Sequence, residues 1–163
     1  MSVLIIIVPI LILVMMIITI PILRKKKVIK ELLSNNKLNV SLSNEKIYDL
    51  VIEIEKRKYL VKVLVLPNNS VLQINSKKYW QLNSGYTNKP GSIPKNKRIL
   101  TELSGFLKLE EEKKIIILYP GIRHIKKYIN ESEMKFVNNG ELVHGIYVIN
   151  YNELDSLIEI NNI

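Results

Sequence analysis

SVLIIIVPILILVMMIITIPILRKKK, residues 2–27, separates an apolar segment from everything that follows. Ser2 to Leu23 carries no charged side chain, and the next four residues are Arg24, Lys25, Lys26 and Lys27. A helix of about 22 residues at 1.5 Å each reaches roughly 33 Å, enough for a hydrocarbon core of about 30 Å. Each Ile, Leu or Val near its centre favours insertion by roughly 0.3–0.6 kcal/mol. The segment is apolar on every face, unlike the one-sided helices that cover a soluble core. It is read as a single membrane span, with Pro21 near its end and Pro9 at a tolerable kink.

The flanks orient it. Met1-Ser2 offers no basic n-region, and the chain has no Ala for an A-x-A cleavage site and no Cys for a lipoprotein anchor. Lys and Arg excess stays on the cytoplasmic side. The expectation is a cell-membrane protein with its N-terminus outside and its C-terminal domain cytoplasmic, and with Arg24, Lys25, Lys26 and Lys27 at anionic lipid headgroups. The organisation follows: 1–23 membrane helix, 24–36 basic juxtamembrane segment and short helix, 37–163 one domain.

Composition narrows the classes. The absence of Cys excludes disulfides and thiolate zinc sites. With 24 Lys and Arg against 15 Asp and Glu, the chain carries +9, a balance that suits an anionic membrane surface or nucleic acid. Phosphate-binding Gly loops, Ser-His-Asp constellations and nucleophile elbows are missing from the sequence. His124 and His144 stand apart, without a carboxylate pattern that would make them ligands.

Periodicity sketches the domain. Val28 to Leu33 extends the membrane helix to the polar break Ser34-Asn35-Asn36. Tyr48 to Glu55 alternates as a half-buried strand, and Tyr59 to Leu66, apolar on both faces except at Lys62, reads as a central strand. Val71 to Asn75 reads as a third strand of an antiparallel meander. Gly85 to Pro94 is loop, and Ile99, Leu100, Leu103, Phe106 and Leu107 predict an amphipathic helix over Lys95 to Leu109. Lys113 to Tyr119 is a buried strand. Ile122 to Asn130 reads as a short helix, Lys135 to Val137 and Val143 to Tyr151 as strands. Asn152-Glu153-Leu154-Asp155 resembles a capping box opening a last helix through Ile160.

That order, joined to Asp49, the strand Tyr59–Leu66 and the segment Asn75-Ser76-Lys77-Lys78-Tyr79-Trp80, resembles the nuclease-related domain (NERD) family of the PD-(D/E)XK nuclease-like superfamily. The resemblance implies a restriction-endonuclease-like α/β domain, a mixed central sheet flanked by helices. In such domains an Asp opens one strand and a Glu-x-Lys follows on the next. The acidic pair holds Mg²⁺, and the Lys positions or activates water. If Asp49 matches that Asp, Lys62 stands at the Glu position and Leu64 at the Lys position. An ammonium there repels the metal and Leu64 offers nothing to water, so the site is degenerate and Asp49 with Lys62 reads as a cross-strand ion pair. Glu53 or Glu55 could replace the lost carboxylate in a divergent Mg²⁺-dependent nuclease; otherwise no cofactor is expected.

The expected role is therefore a membrane-anchored, non-catalytic module that binds nucleic acid or protein at the cytoplasmic face. A membrane-surface scaffold without nucleic-acid binding is the third alternative. Lys77, Lys78 and Trp80 interleave cations with an aromatic ring, and Lys89, Lys95, Lys97 and Arg98 cluster at a loop and helix start; these are the candidate nucleic-acid contacts. The competing reading of Trp80 is a hairpin residue packed inward.

Overall fold

The computed structural model describes residues 2–36, 38–85, 93–110, 113–130 and 133–154, with side chains from residue 7 onward. Helix α1, Ser2–Leu33, is 32 residues without a break, about 48 Å at the usual rise. From Ile7 it is long and apolar enough to cross a membrane, with a mean hydropathy of 2.6 and none of that apolar window buried. The same helix then enters the domain. Val28 and Leu32 are buried at 0% and 1% exposure. They lie one turn apart on one face, with Ile29 beside them.

What they pack against is a six-stranded sheet: β1 Asn39–Leu42, β2 Leu50–Ile54, β3 Arg57–Val65, β7 Lys113–Tyr119, β11 Ile146–Asn150 and β10 Leu142–Val143, in that spatial order. β1, β2 and β3 pair antiparallel, whereas β7 runs parallel to both β3 and β11. A second sheet has the order β6 Asn96–Ile99, β5 Trp80–Ser84, β4 Val71–Ile74, β8 His124–Tyr128 and β9 Met134–Val137. The first sheet is covered on both faces. Ile52, Val61, Val63, Ile115 and Ile117 meet Val28 and Leu32 of α1. Leu60, Leu64, Ile116, Leu118 and Val148 face a core shared with Leu72, Ile74, Trp80 and Leu82 of the second sheet. Central strands with apolar residues on both faces suit this position. Each buried Ile or Leu contributes roughly 1.5–3 kcal/mol.

Three predicted elements are corrected. Val71–Asn75 does not extend the meander. Pro67 lacks the amide that pairing needs, Asn69 turns at φ 59°, and Ser70 Oγ donates to the Pro67 carbonyl at 2.5 Å, so β4 opens the second sheet instead. Residues 95–109 are not one helix. Asn96–Ile99 pairs with β5, and only a 3-10 turn, Thr101–Leu103, and helix α2, Ser104–Lys108, follow. The apolar spacing still buries Leu100, Leu103, Phe106 and Leu107. Within the third, 122–130, His124–Tyr128 is the strand β8, parallel to β4; a vacant sheet edge outweighed helical spacing. The chain after β11 continues as a 3-10 turn, Tyr151–Glu153; residues 155–160 of the predicted last helix lie outside the described residues. The α/β class, the apolar helix and a mixed sheet agree with expectation, but two stacked sheets replace one sheet flanked by helices.

Candidate functional site

Register sets the geometry around Asp49 and Lys62. Leu50 lies opposite Val61 and Glu53 opposite Lys58, so Asp49, one residue before β2, comes to the level of Lys62. Lys62 Nζ stands 4.0 Å from Asp49 Oδ1. It is held more closely by carbonyl oxygens, donating to Ile47 at 2.7 Å and Lys46 at 3.3 Å. The closer partner of Asp49 comes from α1: Lys25 Nζ lies 2.8 Å from Oδ1. The other oxygen, Oδ2, accepts the Val63 amide at 2.8 Å. Burial pushes Lys62 below the usual lysine range; Asp49 opposes that shift, and Lys25 adds to it.

Two expectations change here. The Asp49–Lys62 pair forms, but at the outer limit of contact, and Lys25 is the dominant counter-ion. Lys25 is thus a bridge from helix to sheet, while Arg24, Lys26 and Lys27 remain exposed. Leu64, 4% exposed, belongs to the core between the sheets. A cleft of about 240 Å³ opens beside the cluster, lined by Pro21, Ile22, Lys25, Lys62 and Glu102 among others.

This donor set does not suit Mg²⁺. Asp49 has one oxygen on an ammonium and one on an amide, and a second ammonium lies alongside, where a hard cation wants several oxygen ligands. Glu53 is four residues along β2, about 13 Å away, and accepts from Asn39 Nδ2. Glu55 sits in the hairpin turn at φ 50°. Neither carboxylate converges with Asp49.

No family model, curated protein or solved structure matches the chain.

The candidate nucleic-acid residues scatter. Trp80 is 1% exposed and packs between the sheets, so it is not a stacking platform. Lys77 and Lys78 are exposed in the β4–β5 turn. Lys95 precedes β6, while Lys97 and Arg98 are on this edge strand rather than at a helix start. The turn and Lys95 are at opposite ends of β5, because Trp80 is beside Leu100 and Ser84 opposite Asn96. Arg98 pairs with Glu102 at 3.0 Å. Lys89 lies outside the described residues.

Other features were not legible in advance. Lys114, 3% exposed, donates to the Leu109 carbonyl at 2.6 Å and to Leu107 at 3.4 Å, satisfying the end of α2. Burial pushes it below the usual lysine range. Tyr151 O–H donates to Glu31 of α1, and its phenol is pushed up to about 12, by burial first and then by that carboxylate. The outward residues of β8 and β9 are the third. Lys126 Nζ lies 5.1 Å from the Phe136 ring centre, and His124 meets the same ring edge-on at 5.4 Å. Their sequence signal was the alternation in HIKKY, which the helical reading obscured.

Proposed function

We propose that the protein is a single-pass membrane protein whose cytoplasmic α/β domain is a non-catalytic binding module held directly on its anchor. One observation carries this reading: Lys25, just past the apolar stretch of α1, occupies the carboxylate that a nuclease of the resembled family would use for metal. The cations Arg24 to Lys27 support the cytoplasmic placement, as Lys and Arg excess marks that side. The order Asp49, β2, β3 with residues 62 and 64 one strand across supports descent from a nuclease-like site whose chemical groups have been replaced.

The test is cleavage. The full chain in lipid nanodiscs with Mg²⁺ is expected to leave labelled single- and double-stranded oligonucleotides intact. Mg²⁺-dependent cleavage that Asp49→Ala abolishes would establish the divergent nuclease instead and sink the proposal.

A further inference from the structure

The outward face of the second sheet carries a feature that the Lys25–Asp49 cluster does not explain. Along β8, His124, Lys126 and Tyr128 alternate with the inward Ile125, giving a track about 13 Å long. Phe136 on β9 lies opposite Lys126 and is 58% exposed, far more than a core ring tolerates. Two clefts flank this ring and its neighbours. One, of about 380 Å³, is lined by Arg123, His124 and Phe136. The other, of about 540 Å³, is lined by Gln73, Asn75 and Tyr128. Both fall within the roughly 300–1,000 Å³ of ligand sites.

The chemistry of this face is consistent along its length. By register the described outward residues of β4, β5, β6, β8 and β9 include no Asp or Glu. Gln73 and Asn83 are linked at 2.8 Å, and Asn83 is 5% exposed, so the open part lies toward β8 and β9. There, cations alternate with flat rings beside amide side chains. A repeating polyanion with exposed bases needs this combination: ammonium and guanidinium for phosphates, rings for stacking, amides for base edges. A lipid surface needs no flat-ring alternation, and an acidic peptide has no use for the stacking ring.

We infer that this face, centred on Phe136 and Lys126 with Arg123, Tyr128 and Gln73, is a binding track for single-stranded nucleic acid. The inference rests on the binding-module reading and names its partner. A base stacks on Phe136, Lys126 and Arg123 meet adjacent phosphates, and Gln73 Nε2, which donates one hydrogen to Asn75 Oδ1 at 3.0 Å, offers its second to a base edge in the Tyr128 cleft. The charge term makes binding salt-dependent, and the stacking term makes it prefer single strands to duplex.

The full chain in nanodiscs of neutral lipid, titrated with a labelled pyrimidine oligonucleotide of about 12 nucleotides, tests this. Wild type is expected to bind it more tightly than the matching duplex. Phe136→Ala is expected to weaken binding roughly tenfold, with Phe136→Tyr retaining it. Lys126→Gln is expected to lower the salt slope by about one. Phe136→Leu keeps the packing volume without the ring, so its loss of binding separates stacking from misfolding, and the fluorescence of buried Trp80 reports the fold. Absence of binding at low salt would overturn the inference. So would equal affinity of all Phe136 variants, equal affinity for duplex, or a Phe136 effect on anionic vesicles alone. None of those results touches the cleavage test, and cleavage by the Asp49 site would leave the Phe136 effect readable.

Discussion

Lys25, Asp49 and Lys62 show how one carboxylate organises two cations where the apolar stretch of α1 ends. Removing it leaves Lys62, with a side chain 10% exposed, in place without its counter-ion. Asp49→Ala is therefore expected to cost roughly 2–4 kcal/mol, more than Lys25→Gln, whose side chain is 32% exposed and can turn to water or headgroups. Urea unfolding of the full chain in detergent measures both. The sign of the pH dependence follows from burial. Lys62 and Lys114 both titrate below the ordinary 10.5 when folded. Between the depressed folded value and 10.5 the unfolded chain binds more protons, so their contribution to stability rises with pH in that window. Tyr151 opposes this above its ordinary 10.0, because its folded value is raised to about 12. Up to about pH 10, Lys62→Met is expected to flatten the rise seen in wild type. An unchanged slope would show that Lys62 is hydrated. Asp49 and Lys62 were legible as a pair, because strand register follows from turn length. Lys25 was not: its charge signalled headgroups, and nothing local in the sequence says which part of a helix docks.

At the level of elements, α1 has two parts. About 30 Å of it matches a hydrocarbon core and the remaining turns lie on the first sheet. Leu32 and Leu33 are neighbours with opposite fates, 1% and 42% exposed. Leu32→Ala is expected to destabilise by about 2–4 kcal/mol, and Leu33→Ala by no more than about 0.5 kcal/mol, in thermal unfolding of the full chain. Equal effects would mean that the helix end is not docked as described. β2, β3, β7 and β11 were readable because their residues are apolar on one or both faces at period two. β6 and β8 were not, because Lys95–Leu109 and Ile122–Asn130 carry apolar residues at spacings that suit a helix too. Pairing with β5 and β4 resolved the ambiguity, since a vacant edge supplies hydrogen bonds that a short helix must find within itself.

For the whole molecule, the unbroken α1 makes the distance from its apolar stretch to the domain a property of the fold rather than of a linker. Lys25 to Asp49 and Glu31 to Tyr151 tie that helix to both ends of the chain's domain. The orientation proposed for it follows charge, so protease added to intact cells is expected to spare the domain, and inserted Lys residues before Leu4 are expected to weaken that protection. Digestion of the unmodified chain from outside would reverse the topology. The sequence by itself determined the apolar helix, its charged boundary, the α/β class and a Lys and a Leu at positions 62 and 64, where Mg²⁺ chemistry would need a carboxylate and a Lys. These are properties of composition and of periods two and 3.6, which act within a few residues. Only the tertiary structure decided that the strands divide into two stacked sheets, that Lys25 neutralises Asp49, that Trp80 is core, and that Phe136 stands open beside Lys126. Each of those depends on which distant segments share a sheet edge, a contact between residues far apart in the chain that no local pattern encodes.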